Sequence, residues 1–286
     1  MIRRAIGWCV GLFFVIVGVR RRALARYHEN GTILSIFSHN PSPSVLEGVL
    51  RWLKKKGFTF ISTDEMLDIR IGKHKWKPLL AWLTLDDGRV GFKDRLLPIL
   101  HKYDVPVTIF VSPSETKRRR IWSATISRLV SDEKRREYFG VKVDDRYAYI
   151  DQLKSVDALP IQLEDMDDLI TAAKDSLVTL ENHTDSHMNC SEQTVVDMKT
   201  DVLKANETIM GWTGRECRLL CYPYGFRSSR HDEELISMGL IPVSSDPSVT
   251  NITDRILSRN MFTDDKTNME NIGRILQAWV KVGGAV

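Results

Sequence analysis

Ala81-Trp82-Leu83-Thr84-Leu85-Asp86-Asp87-Gly88 is the stretch on which the reading of this chain turns. A short apolar run of this kind reads as a buried strand. Two adjacent carboxylates at its end are poorly explained by folding alone. Successive side chains of a strand point to opposite faces. One aspartate is therefore expected to hold a metal while the other faces substrate or water. Gly88 permits the sharp turn that follows. A helix N-cap or an Asx turn is the competing reading of Asp86 and Asp87.

Outward from this strand the chain alternates strand and helix patterns. Further strand-like runs are Thr32–Phe37, Phe58–Ser62, Val105–Val111, Leu177–Leu180, Arg218–Tyr222, Ile241–Ser244 and Ile256–Ser258. A helix is expected over 43–56, with Ser42 as its cap, Pro43 in its first turn and Val45, Val49 and Leu53 on one face. Another is expected over 191–211, where Val195, Met198, Val202, Ala205 and Ile209 repeat at three and four. Ser62 and Glu65 have the spacing of a capping box. This alternation implies parallel strands joined by crossover helices. About eight strands in 286 residues point to an α/β fold, a closed or nearly closed (β/α) barrel, with an open doubly wound sheet as the alternative. The domain is expected over 27–286, with a charged helical insertion at 113–165.

Composition is that of a globular protein, 43% hydrophobic and 27% charged, which excludes disordered and fibrous classes. The net charge of +4 is uneven. Residues 1–26 hold six arginines and no acid, so the remainder carries a slight acidic excess. No nucleic-acid partner is expected from that balance. Lys117–Arg120 and Lys134–Arg136 read as solvated helix surface. Cys9, Cys190, Cys217 and Cys221 show no C-x-x-C spacing and read as reduced thiols.

Residues 5–19 are almost wholly apolar and are flanked by Arg3–Arg4 and Arg20–Arg22. As a helix they span roughly 22 Å, short of a hydrocarbon core of ~30 Å. A signal peptide ending near Ala23-Leu24-Ala25, an interfacial helix anchored by arginines, and a helix packed on the domain remain open. The first two imply membrane association or a place in the cell envelope. The last is compatible with the cytoplasm.

A second motif, His183-Thr184-Asp185-Ser186-His187, follows the run at 177–180. One helical turn between the histidines would bring both imidazoles to one face, a common way to hold Zn²⁺. Asp87 would complete a two-histidine, one-carboxylate set with open positions, the mark of a catalytic metal. Two surface histidines at a helix start are the alternative. Cys221-Tyr222-Pro223-Tyr224-Gly225 follows a later strand and by itself reads as a turn.

In this order, Thr84–Gly88, His183–His187 and Tyr222–Gly225 resemble the polysaccharide deacetylase family, also called the NodB-homology or carbohydrate esterase family 4 domain. The resemblance covers about residues 30–262. It implies a distorted (β/α) barrel, usually of seven strands, one divalent metal that is commonly zinc, with cobalt or nickel as alternatives, and removal of acetyl groups from sugars. It implies Asp86 as general base, Asp87, His183 and His187 as metal ligands, and the backbone N–H of Tyr224 at the oxyanion. An acetylated oligo- or polysaccharide is the implied substrate. Two positions depart from the pattern. Cys221 stands where many members carry the arginine that supports the catalytic aspartate. The last strand lacks the usual histidine, and His39, after the first strand, is expected to serve as general acid. Arg259 is a candidate for binding substrate or orienting a carboxylate. A deacylase of a lipid-linked sugar and a non-catalytic sugar-binding barrel are the alternative functions.

Overall fold

The computed structural model describes residues 19–122, 145, 148 and 162–277. The apolar run at 5–19, all but its last residue, and most of the insertion expected at 113–165 lie outside the described residues. Among the described residues no helix is long and apolar enough to cross a membrane.

In chain order the elements begin with α1 (Val19–Ala25), β1 (Thr32–Ser38), α2 (Pro43–Lys55), β2 (Thr59–Phe60), α3 (Thr63–Arg70) and β3 (Leu80–Asp86). They continue with α4 (Leu97–Tyr103), β4 (Val107–Val111), α5 (Pro113–Arg118), α6 (Met166–Ala172), β5 (Val178–Asn182), α7 (Val195–Thr213) and β6 (Leu219–Cys221). The last are α8 (Ser229–Ser237), β7 (Ile241–Ser244), β8 (Thr250–Asn251), β9 (Leu257–Ser258), β10 (Asn260–Met261) and α9 (Asn268–Ile275). Eight strands follow one another along a mostly parallel sheet, and β2 and β8 attach beside it. This agrees with the seven or eight strands expected. The two-residue strands β8 and β10 were not foreseen.

The chain divides into two compact units. The first comprises Met1–Leu85, Asp94–Thr108 and Ser245–Val286. Its centre is β1, paired in parallel with β3 from Ile33↔Leu80 to Ser38↔Leu85, and with β10 at Ile36↔Asn260. Every residue of β1 and of β3 is buried. A strand covered on both faces reads as a continuous apolar run, which is why Leu80–Leu85 lacks polar alternation. Helix α2 buries Leu46, Val49, Leu50 and Leu53, each contributing about 1.5–3 kcal/mol over exposure. Gly48 on that face packs closely against α9, where a Cβ would push the amide end of the Asn268 side chain aside. Ser42 precedes α2 but does not cap it. Its hydroxyl donates to Asp264 at 2.9 Å instead. The capping box does form, with Ser62 and Glu65 bonded both ways at 3.1 and 2.8 Å. The end of the 1–26 segment is packed on the unit: Ala23 is buried, and Arg26 donates to the carbonyl of Gln277 at 2.8 Å.

The second unit comprises Asp86–Lys93 and Ile109–Ser244. Here β5, β6 and β7 lie parallel, with pairs Asn182↔Leu220 and Leu220↔Pro242. Helix α7 buries Met198, Val202, Ala205 and Ile209, the face its periodicity predicts. It starts at Val195 rather than 191, because the Thr194 hydroxyl accepts the Asp197 N–H at 3.1 Å and fixes the boundary. Strand β3 ends as the chain enters this unit, so Asp86 and Asp87 open it.

Candidate metal centre

Asp87 is buried and has a left-handed backbone, φ 76°, followed by Gly88 at φ 64°. Its N–H donates to the carbonyl of Phe110 at 2.8 Å, which ties the turn to β4. Gly88 leaves room for Leu169 and Val111, whose methyl groups would lie 3.2–3.4 Å from a Cβ. The reversal ends the strand alternation at Asp86. The two carboxylates join different groups of donors: Asp87 lies with His183 and His187, and Asp86 with His183 and Cys221, the donor atoms within each group all lying within 4.8 Å of one another.

The histidine pair is also built differently from the expected helical turn. Residues 183–189 form a loop, with Thr184 at φ 61° and His187 at φ 51°. Side chains take up its backbone groups. Asn182 Oδ1 accepts the Thr184 N–H at 2.6 Å, and Thr184 Oγ1 accepts the Met188 N–H at 3.0 Å. Asp201 accepts the N–H of Asp185 at 2.6 Å. Ser112 donates to the His183 carbonyl at 2.8 Å, and Trp122 Nε1 to the His187 carbonyl at 2.9 Å. A buried loop needs such partners for its polar groups. The left-handed residues cost of order 1 kcal/mol or more each, and such strain gathers at functional sites.

The imidazoles converge on one oxygen. Nε2 of His187 lies 3.1 Å from Oδ1 of Asp87, and Nε2 of His183 lies 3.6 Å from it. The rings stand 4.9 Å apart at 76°. Nδ1 of His183 bonds the carbonyl of Cys221 at 2.7 Å. A carbonyl only accepts, so Nδ1 carries the hydrogen and Nε2 is left with the lone pair. Burial, and next the neighbouring His187, push His183 down to about 4, so its ring is neutral at ordinary pH. Nδ1 of His187 lies 2.9 Å from the hydroxyl of Tyr224. Orienting partners on the far ring nitrogen are characteristic of histidines that bind metal through the near one. The donor set of Asp87, His183 and His187 is thus buried and convergent, and the His183 imidazole is in the neutral form that a divalent ion requires.

Two neighbours of the site were not foreseen. Arg89 holds the outer oxygen of Asp87, with Nε and Nη2 at 2.9 and 2.8 Å from Oδ2. Its place two residues beyond Asp87, across a glycine turn, is the signal that could have found it. Trp122 packs its ring 6.3 Å from that of Tyr224 and holds the His187 carbonyl. No local pattern marks it. Tyr224 itself has φ 61°, a strained position for a tyrosine. Sγ of Cys221 faces Asp86, 3.9 Å from Oδ2.

His39 and Arg259 belong to the first unit. His39 follows β1 and is exposed, its ring 6.0 Å from that of Phe37. Arg259 is wholly buried. It donates to Thr84 Oγ1 at 2.6 Å and lies 4.3 Å from the centre of the Phe37 ring.

An α/β fold of parallel strands with a buried carboxylate–imidazole centre defines a barrel hydrolase. The family comparison agrees: residues 73–243 match polysaccharide deacetylase, and the chain belongs to that family, whose members are hydrolases of carbon–nitrogen bonds other than peptide bonds. No curated protein matches the chain by sequence. Among solved structures, IcaB from Ammonifex degensii is 17% identical, with a TM-score of 0.64 over 87% of this chain and 98% of that one. Streptococcus pyogenes deacetylase PplD, in complex with acetate, is 13% identical, with a TM-score of 0.63 over 85% and 98%. A de-N-acetylase from Aggregatibacter actinomycetemcomitans is 17% identical, with a TM-score of 0.58 over 84% and 98%. At these identities the likeness establishes the fold, the distorted barrel expected.

Proposed function

We propose that this chain hydrolyses N-linked acetyl groups on amino sugars of a bacterial polysaccharide or glycolipid, around one divalent metal. The convergence of Asp87, His183 and His187 beside the carboxylate of Asp86 carries the reading. Zinc suits two imidazoles and a carboxylate, and Co²⁺ or Ni²⁺ share such ligands. When bound, the ion supplies Lewis acidity to the acyl carbonyl and lowers the pKa of neighbouring water. Asp86 takes the proton from that water. Arg89 keeps the Asp87 carboxylate in one orientation, and the Cys221 carbonyl does the same for His183. The backbone N–H of Tyr224 donates to the developing oxyanion. His39 protonates the leaving amine. Arg259, bonded to Thr84 of β3, acts as a positioning residue. Phe226, half exposed and 6.1 Å from the Tyr224 ring, offers an apolar surface for a sugar face.

Acetate release from an N-acetylated hexosamine oligosaccharide tests the reading. Activity is expected to vanish on chelation and to return with Zn²⁺. Asp87→Asn is expected to lose both metal and turnover, and full retention of both would sink the assignment. The Cys221 thiol against Asp86 favours one other reading, a sugar-binding barrel without turnover. Oligosaccharide binding by the metal-loaded protein with no acetate released would select it. The apolar run at 5–19 supports membrane association and a lipid-linked substrate. Deleting residues 1–26 should then reduce turnover of membrane-borne substrate and spare that of soluble substrate.

A further inference from the structure

His183 belongs to two donor clusters. One is the set with Asp87 and His187. The other joins it to Asp86 and Cys221, with one donor atom from each residue within 4.8 Å of the others and all three side chains buried. Nδ1 of His183 is taken by the Cys221 carbonyl. A neutral imidazole offers one lone pair, so the two clusters compete for His183 and exclude one another. Their chemistry differs. Two imidazoles and a carboxylate suit Zn²⁺, whereas a thiolate selects soft ions.

We propose that Asp86, His183 and Cys221 form a second metal position, selective for thiophilic ions such as Cd²⁺, and that an ion held there removes Asp86 from the reaction. As the sulfur–metal bond forms, the Cys221 thiol releases its proton to solvent. The binding claim stands on the cluster alone. The inhibitory role rests on the function proposed above, in which His183 holds the catalytic metal and Asp86 is the base, because an ion at the second position takes both.

Metal-free protein is titrated with Cd²⁺ while the ultraviolet thiolate-to-cadmium charge-transfer absorption is read. Wild type is expected to develop the band at one equivalent, and Cys221→Ser to show none while still binding Zn²⁺. Cys190 and Cys217 stay in both proteins as internal controls. An equal band in Cys221→Ser, or Cd²⁺ bound to wild type with no band, overturns the site. His187→Ala breaks only the other cluster. It should lose Zn²⁺ affinity and keep the band, and loss of the band there overturns the separate position. In acetate release by the zinc-loaded enzyme, Cd²⁺ should inhibit wild type. The half-inhibiting concentration should rise roughly tenfold or more in Cys221→Ser, each protein normalised to its own rate. Equal inhibition of both overturns the inhibitory role. A wild type that releases no acetate overturns the functional reading, and the absorption still decides the metal position.

Discussion

In the first unit, β1 runs out at Ser38 into His39 and Asn40, both exposed. In the second, β5 runs out at Asn182 into a loop buried from His183 to Cys190. Both strands belong to the same parallel plan. The first unit continues its strand end into solvent. The second turns its own back with left-handed Thr184 and His187, and does the same after β3 with Asp87. Burying polar loops requires the side-chain partners described for Asn182, Ser112, Trp122 and Asp201. Such an arrangement costs stability, and the return is a cluster of donors held at fixed distances. The first unit is therefore expected to answer to mutation mainly through folding, and the second mainly through metal and turnover.

The largest effect should come from His187→Ala. Loss of a metal's charge stabilisation, several kcal/mol, predicts a fall in acetate release of about 10³-fold or more, with bound metal lost in parallel. His39→Ala is next and tests the comparison hardest, because His39 lies in the first unit. If it is the acid, the rate should fall on the order of 10²-fold with metal content unchanged and the alkaline limb of the pH profile altered. An unaltered profile would return His39 to the scaffold. Arg89→Ala should weaken metal affinity by about 10- to 100-fold, measured by competition with a chelator. Arg89→Lys should recover only part of it, since an ammonium does not form the two-pronged contact. Gly48→Ala is the opposite case. Displacing the Asn268 amide should lower unfolding free energy by about 1 kcal/mol, the gain in helix propensity offsetting part of the crowding, while turnover per folded molecule is kept. A loss of turnover without a loss of stability would erase the contrast between the units.

The metal ligands were legible because Asp86-Asp87-Gly88 and the histidine pair are compact and chemically unusual. Strands such as β3 were legible because burial on both faces leaves an unbroken apolar run. The conformation of the ligand loop was not. A spacing of four residues suits a helix, but Asn182 and Asp201 take the amides of Thr184 and Asp185 and leave a loop instead. The outer contacts were hidden for a related reason. Trp122 reaches His187 across 65 residues and Tyr224 reaches it across 37, separations that local periodicity does not register. The two-residue strands β8 and β10 carry too few side chains to show a period.

Glu181, one residue before Asn182, extends the cost of this burial to the acidity of the medium. It is wholly buried, and burial pushes it from 4.5 up to about 7 although the N–H groups of Arg218 and Leu219 donate to it at 2.8 and 2.9 Å. The folded chain thus binds this proton more tightly than the unfolded chain does. Its contribution to stability is fully present below about 4.5 and is lost as the pH rises through about 7. The loss is roughly 3 kcal/mol by proton linkage. Urea midpoints at pH 5 and pH 8 should show the decline in wild type and a flatter response in Glu181→Gln, which keeps an acceptor oxygen. An equal decline in both would trace it to other groups. The strand that delivers the ligand loop would then be a proton-linked element, firmest in mild acid and loosened at the alkaline end of the range.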